Sequence, residues 1–238
     1  MANNQLIEHL KTSWFKYVFE IVVVVFGILI ALRLDNSKDQ RKEDAVEIMA
    51  LKQIHNGLAR LEEEVSVNLE DELNALQSCE FIIKNFDTNQ GLTDSLEKAF
   101  TLAWFYTYLQ PDYGPYEYVN NYGASVITNS NIREIILNLY GLDLRATVGE
   151  SQIRADYIER IKPQMAAWYT SMNPNTYDLT PTKPWDYESL RVDKTFRFHL
   201  TTQQKECMRW SRELNGLKDH IRDVMQLVAG EINKLEDK

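Results

Sequence analysis

The feature that most constrains this chain is an apolar segment near its N-terminus. Residues 14–34 read WFKYVFEIVVVVFGILIALRL, with charged side chains only at Lys16, Glu20 and Arg33. The uninterrupted apolar run, residues 21–32, is shorter than the roughly 20 residues that a helix needs to cross about 30 Å of hydrocarbon. Aromatic residues before the run and basic residues on both sides lengthen the segment, because such side chains suit the membrane–water interface.

Two other interpretations of this segment fit the residues less well. A cleaved signal peptide would place small residues after the apolar run, whereas Ala-Leu-Arg-Leu-Asp follows here. A buried strand fits residues 22–25, but the run continues without a turn signal. We therefore predict one uncleaved transmembrane helix over residues 14–35, after an N-terminal tail of residues 1–13.

One face of the predicted helix gathers polar and small side chains. At about 100° per residue, six positions share this stripe: Lys16, Glu20, Val24, Gly27, Ala31 and Asp35. Gly27 and Ala31 form a small-xxx-small pair, which lets helix backbones approach closely in lipid, and an unpaired carboxylate such as Glu20 is costly there. The stripe therefore predicts a homo-oligomer, or a water-filled path between copies. The alternative is that Glu20 lies at the interface and pairs with Lys16.

A long amphipathic helix is predicted to follow the membrane segment. Residues 36–44 are dense in charge. Apolar residues then recur three or four positions apart, with a last step of seven: Ile48, Leu51, Ile54, Leu58, Leu61, Val65, Leu69, Leu73, Leu76 and Ile83. This spacing is typical of a coiled coil, and the consecutive steps of four after Val65 predict a stutter. We predict a stalk helix over residues 36–85, whose part from residue 45 is about 60 Å long.

The C-terminal residues 201–238 show the same spacing. The predicted apolar seam is Cys207, Trp210, Leu214, Leu217, Ile221, Val224, Val228 and Leu235, with Thr201 or Thr202 as the N-cap. Two long amphipathic helices near the ends of one domain most simply pack antiparallel, so this helix is expected to pack on the stalk. Cys79 and Cys207 could then meet, the alternative being two buried free thiols.

The central region, residues 86–200, is predicted to be helical as well. Thr93 is a predicted N-cap, and Asn131 with Glu134 resembles a capping box that opens a further helix. Three residues are expected to bend or divide that helix: Gly141, Gly149 and Pro163. Residues 173–193 contain three prolines and are predicted to form an ordered loop. Since no period-two stretch is long enough to require a sheet, the predicted fold class is all-α, with an antiparallel helical bundle.

Polar residues cluster in residues 111–133. A short helix is predicted over residues 116–122, ended by Gly123. The candidate site consists of five residues: Tyr116, Glu117, Gly123, Asn129 and Arg133. They form either a ligand or partner site, or a buried hydrogen-bonded corner in which Glu117 and Arg133 pair. The corner is the favoured interpretation, because polar residues near turns often serve as caps.

Composition and motifs argue against several functional classes. With 26 Lys plus Arg against 35 Asp plus Glu the net charge is −9, which argues against nucleic-acid binding. The four histidines and two cysteines lack metal-ligand spacing, and phosphate-loop and nucleophile-elbow motifs are missing. We therefore expect no catalytic residue, no cofactor and no metal; the expected partners are the lipid bilayer and further copies of the chain, with a protein partner left open.

The sequence resembles an uncharacterised family of single-span bacterial membrane proteins of the Bacteroidota type. A first block carries the resemblance at Glu20, Ile21, Gly27 to Leu32, Asn36, Arg41 and Lys42. A second block carries it at Tyr116, Glu117, Gly123, Ile127, Asn129 and Arg133. Phe19 and Ser37 stand where the family often has Gly and Trp. The resemblance implies one N-terminal span and a helical extramembrane domain, and it implies no activity.

These observations predict a membrane-anchored, self-associating protein with a structural, sensory or scaffolding role in the bacterial envelope. The alternative is a small oligomeric pore or membrane effector lined by the stripe. Basic residues are more numerous after the apolar run than before it, which favours a cytoplasmic domain in the inner membrane. A short N-terminal signal anchor commonly exports the domain on its C-terminal side, and the resembling family tends to have a basic N-terminal tail. We therefore expect a periplasmic domain.

Overall fold

The computed structural model describes residues 2–171 and 180–237, with side chains except at residues 2–13, 15, 17 and 124. The α-helices are α1 Ala2–Asp87, α2 Asp94–Leu102, α3 Gly114–Tyr122, α4 Ser130–Asn138, α5 Leu144–Trp168, α6 Tyr187–Val192 and α7 Lys194–Glu236. A 3-10 turn lies at Ala124–Val126 and a π-helical segment at Leu139–Asp143. No strand occurs among the described residues, so the predicted all-α class is confirmed.

The chain divides into two compact units, residues 1–49 and residues 50–238. The first unit consists of the N-terminal part of α1, and its large apolar side chains between Val18 and Leu34 are 43% to 63% exposed. Among the described residues, no helix combines the length and the apolar composition needed to cross a membrane.

In the second unit, α7 lies antiparallel to the part of α1 from residue 50 to residue 87. Ion pairs connect the two helices along their length: Lys52 with Glu236 at 2.6 Å, Glu62 with Arg222 at 2.5 Å, and Asp87 with Arg197 at 2.7 Å. The residue number rises on one helix as it falls on the other, which defines the direction. All eight apolar residues predicted for the C-terminal seam are buried.

The buried seam of α1 differs from the predicted one. Its members are Leu58, Leu61, Val65, Asn68, Glu72, Ala75, Cys79, Ile82 and Phe86. They alternate steps of three and four, so the predicted stutter is wrong. Leu73 is 40% exposed. The predicted seam used Leu69 and Leu73, whereas the buried positions lie one residue earlier and carry Asn68 and Glu72. Both polar side chains have partners from other elements, and these partners make their burial tolerable.

The N-terminus of α7 also differs from the prediction. The helix begins at Lys194, and the Asp193 carboxylate caps it by accepting hydrogen bonds from the backbone N–H groups of Thr195 at 2.7 Å and Phe196 at 3.0 Å. Thr201 and Thr202 lie inside the helix, where their hydroxyls donate to carbonyls of the preceding turn. A threonine can bond to its own helix in this way, which makes it a poor marker of the helix start.

Part of the predicted loop over residues 173–193 is helical. Helix α6 occupies its end, capped by Asp186, while residues 172–179 lie outside the described residues.

Helices α4 and α5 are joined through the π-helical segment rather than by a break. Gly141 lies in that segment, whereas Gly149 and Pro163 lie within α5 and do not divide it. Asn129, not Asn131, caps α4, so the predicted capping box is wrong. The Thr93 cap of α2 is confirmed, because its hydroxyl accepts from the backbone N–H of Leu96 at 3.2 Å.

Candidate functional site

The predicted stripe on α1 is a single helix face. All six of its residues are exposed, and a Cβ added at Gly27 would meet no atom within 4 Å. No ion pair joins Lys16 to Glu20 in the part of the chain that the structure describes. The stripe therefore presents a narrow, uncovered surface with one carboxylate near its N-terminal end.

The second predicted site begins with Asn129, which lies before α4. Its side-chain oxygen accepts hydrogen bonds from the backbone N–H groups of Asn131 at 3.1 Å and Ile132 at 3.4 Å. Its amide nitrogen donates to the carboxylate of Glu231 on α7 at 2.9 Å. Asn129 thus caps one helix and joins it to another, which is a structural task.

The other members of this site also serve the corner. The ring of Tyr116 stacks on Tyr140, with centroids 5.3 Å apart and planes at 12°. Gly123 ends α3 with φ of 90°, a conformation that favours glycine. Arg133 donates to the carbonyl of Ile127 at 3.1 Å, and among the described residues no ion pair joins it to Glu117. These contacts form a helix-capping corner, but none of its five residues is buried, Glu117 is exposed, and the predicted Glu117–Arg133 pair is missing from the described residues.

A buried ion pair that sequence reasoning missed lies between α1 and α5. The Arg154 guanidinium donates two hydrogen bonds to the Glu72 carboxylate, one of them at 2.8 Å, and the two side chains are 6% and 2% exposed. The guanidinium carbon also lies 5.5 Å from the ring centroid of Trp210 on α7. One arginine therefore connects three helices.

Two free thiols lie in the same layer of the bundle. Cys79 of α1 and Cys207 of α7 are both buried, and Cys79 is close to the carbonyl of Ala103 at 3.7 Å. A hydrogen bond with Cys79, then burial, and then the nearby Glu72 carboxylate raise the pKa of Cys207. The two predicted alternatives therefore coincide: the cysteines meet, and they are free thiols.

A groove of 310 Å³ lies between α5 and α7. At one end, Arg209 forms ion pairs with Glu150 at 2.5 Å, Glu206 at 2.8 Å and Glu213 at 2.7 Å. A single guanidinium thus serves three carboxylates, so this end of the groove remains acidic.

The other end of the groove is polar and uncharged apart from Arg160. The Tyr157 hydroxyl and His199 Nδ1 are 2.9 Å apart. Burial, followed by the Glu206 charge, raises the pKa of Tyr157, and burial lowers the pKa of His199. Both shifts favour the neutral forms, so this pair adds no charge to the groove near neutral pH.

Two buried nitrogens beneath the groove have no hydrogen-bond acceptor in the described structure: Arg154 Nε and Gln203 Nε2. Gln203 is 2% exposed and occupies a position of the α7 seam between Leu200 and Cys207. A polar residue at an otherwise apolar heptad position was the only signal in the sequence for this site. The pattern could not reveal which helix lies opposite.

Comparison with protein-family models, with curated proteins and with solved structures found no match for this chain.

Proposed function

We propose that the protein is a membrane-anchored, self-associating helical protein of the bacterial envelope, with a structural, sensory or scaffolding role. The observation that carries the proposal is the continuous exposure of large apolar side chains between Val18 and Leu34. Soluble monomers rarely expose a contiguous apolar surface of this kind, and a helix satisfies its own backbone hydrogen bonds in lipid.

The energetics favour hydrocarbon as the environment of the apolar run. Residues 21–32 contain ten Val, Ile, Leu or Phe side chains. At about 0.3–0.6 kcal/mol each, they contribute about 3–6 kcal/mol to insertion. A single Asp, Lys or Arg at the bilayer centre would cancel about 3 kcal/mol of this, but the charges at Glu20 and Arg33 lie at the borders of the run. The run therefore supports insertion provided that these side chains reach the headgroups.

Self-association is supported by the stripe on the same helix. Gly27 and Ala31 leave the backbone uncovered on one face, and lipid-embedded helices associate through such small residues. The described unit of residues 1–49 contains a single helix. We therefore propose that another copy of the chain packs against this face.

The test combines two measurements on the full chain. Gly27→Leu with Ala31→Leu keeps the segment apolar but blocks close approach of the backbones. We expect the double variant to float with liposomes as the unaltered protein does, and to give a smaller oligomer by light scattering in mild detergent.

The matched control is Val22→Leu with Val25→Leu, which adds apolar bulk on the opposite face of the helix. The control should keep the original oligomer size. A protein that stays with the soluble fraction contradicts the anchor, and a monomeric unaltered protein contradicts self-association. Equal oligomers from both double variants would place the contact outside the stripe.

A further inference from the structure

The groove between α5 and α7 has the size of a small-molecule site. Its 310 Å³ is at the lower end of ligand pockets and equals about ten water molecules of liquid. Ile153 and the ring of Tyr157 supply apolar surface in its lining. The groove can therefore seat a small molecule that has an apolar body and a polar end.

One basic side chain of the lining, Arg160, is available to an anionic ligand. Both carboxylates of the lining, Glu150 and Glu206, are paired with Arg209. Arg160 has no carboxylate partner within the described ranges, and its Nε donates to the backbone carbonyl of Asp156 at 3.2 Å. The Asp156 carboxylate accepts instead from the amide of Gln152 at 2.9 Å. Among the described residues, Arg160 is therefore the cation of the lining that forms no ion pair, although the Asp156 and Glu159 carboxylates lie beside it.

The unpartnered buried donors also favour a ligand that accepts hydrogen bonds. An unpartnered buried polar group costs about 1–3 kcal/mol, and both Gln203 Nε2 and Arg154 Nε are such groups. The two terminal nitrogens of Arg154 are already bonded to Glu72, so an acceptor for the remaining N–H has to come from elsewhere. A leucine at position 203 would fit the heptad seam without this cost, which makes the amide a feature that packing does not explain.

We propose that this groove binds a small carboxylate with an apolar body. Arg160 supplies the charge, the body lies on Tyr157 and Ile153, and Gln203 turns its amide toward the opening to donate to a carboxylate oxygen. The proposal does not depend on membrane attachment, and it would give the protein a means of sensing a metabolite.

The experiment titrates the full chain in mild detergent with benzoate, benzamide and inorganic phosphate by isothermal calorimetry. Benzamide matches benzoate in shape without the charge, and phosphate separates a free inorganic anion from an organic carboxylate. We expect saturable binding of benzoate, and no binding of benzamide or phosphate. Arg160→Gln and Gln203→Leu should each weaken it about tenfold, as expected for a hydrogen bond to a charged group.

Controls separate binding from folding. Arg212→Gln removes an exposed arginine outside the groove and should leave benzoate affinity unchanged. Arg160→Lys should restore part of the affinity lost in Arg160→Gln. Gln203→Leu should raise the melting temperature while weakening binding, because it replaces an unpartnered buried amide by a side chain suited to the seam.

Four results would overturn the proposal: no binding of benzoate up to millimolar concentration, equal affinity for benzamide, binding of phosphate only, or an Arg160→Gln variant with unchanged benzoate affinity.

Discussion

At the scale of single residues, the most consequential group is the Arg154 guanidinium, because it is buried and connects three helices. Two buried charges stabilise each other only while both are present. Removing one of them is therefore strongly destabilising, although the intact pair adds little to the free energy of unfolding compared with apolar residues of similar volume. The bidentate contact with Glu72 and the contact with the Trp210 ring compensate most of the interactions with water that the Arg154 guanidinium loses on burial. The fold therefore depends on the two side chains matching each other, and an apolar pair could take the place of the ionic one.

Single and double substitutions test this asymmetry. Glu72→Gln leaves the Arg154 charge buried without a counter-ion, and we expect it to lower the free energy of unfolding by about 3–5 kcal/mol. Glu72→Leu combined with Arg154→Met should recover most of that loss, since apolar pairs often replace buried ion pairs without cost. Urea denaturation of the unaltered protein, Glu72→Leu, Arg154→Met and the double variant measures the coupling in a double-mutant cycle. Additive losses would contradict a direct pair.

Gly57 illustrates a close approach that no helix pattern reveals. A Cβ at this position would lie 2.7 Å from Cγ of Pro115 and 3.3 Å from the hydroxyl of Tyr140. Gly57→Ala should therefore destabilise the protein by about 1–3 kcal/mol through overpacking, despite the better helix propensity of alanine. Gly149→Ala is the control, because nothing lies within 4 Å of its added Cβ, and it should stabilise by about 1 kcal/mol. Thermal denaturation that ranks the two variants in the opposite order would refute the close contact.

The thiol of Cys207 gives a prediction about pH. Its raised pKa keeps it protonated in the folded state at pH values where an unfolded cysteine, with a pKa of about 8.5, ionises. The unfolded chain then binds fewer protons than the folded one, so this group lowers stability as pH rises above about 8.5. We expect iodoacetamide at pH 9 to modify Cys207 only after urea is added, as followed by mass spectrometry. Rapid modification of the native protein would show that the thiol is accessible or ionised.

At the scale of secondary-structure elements, the sequence predicts helices well and their packed faces less well. On α7 every residue predicted for the seam is apolar and buried, although Gln203, Ser211 and Glu231 are buried on this helix as well. On α1 the leucines at 69 and 73 gave a shifted seam, because the buried positions next to them carry Asn68 and Glu72. Polar residues enter a seam when partners from distant elements satisfy them, and local spacing carries no information about those partners. The groove was missed for the same reason, since it requires the pairing of α5 with α7.

The N-terminus of α7 can be tested by comparing two caps. Asp193 accepts from two backbone N–H groups and from the indole N–H of Trp168 at 3.1 Å, so Asp193→Ala should cost about 1–2 kcal/mol or more. Thr201→Ala should have little effect, because residue 201 lies inside the helix and alanine favours helices. Chemical denaturation compares the two. A larger loss for Thr201→Ala would place the helix start where the sequence pattern suggested.

At the scale of the whole molecule, the proposed anchor raises the question of which side of the membrane carries residues 50–238. Both native cysteines are buried, so a thiol introduced on the surface can be labelled selectively. Lys183 has an exposed side chain, and Lys183→Cys provides such a site. We expect a membrane-impermeant maleimide to label this variant in intact spheroplasts, as the proposed periplasmic location requires. Labelling only after lysis would indicate the cytoplasmic side.

The antiparallel pairing of α1 with α7 also governs how the second unit is made. Lys52 and its partner Glu236 are 184 residues apart in the chain. At about 5–20 residues per second, roughly 10–40 s of synthesis separate them on the ribosome. The part of the α1 seam that α7 covers stays open during this time, and closing so long a loop makes folding slower than in bundles of neighbouring helices. The unit can complete its core only after α7 has been synthesised, so chains that stop before α7 would expose that seam to aggregation and proteolysis.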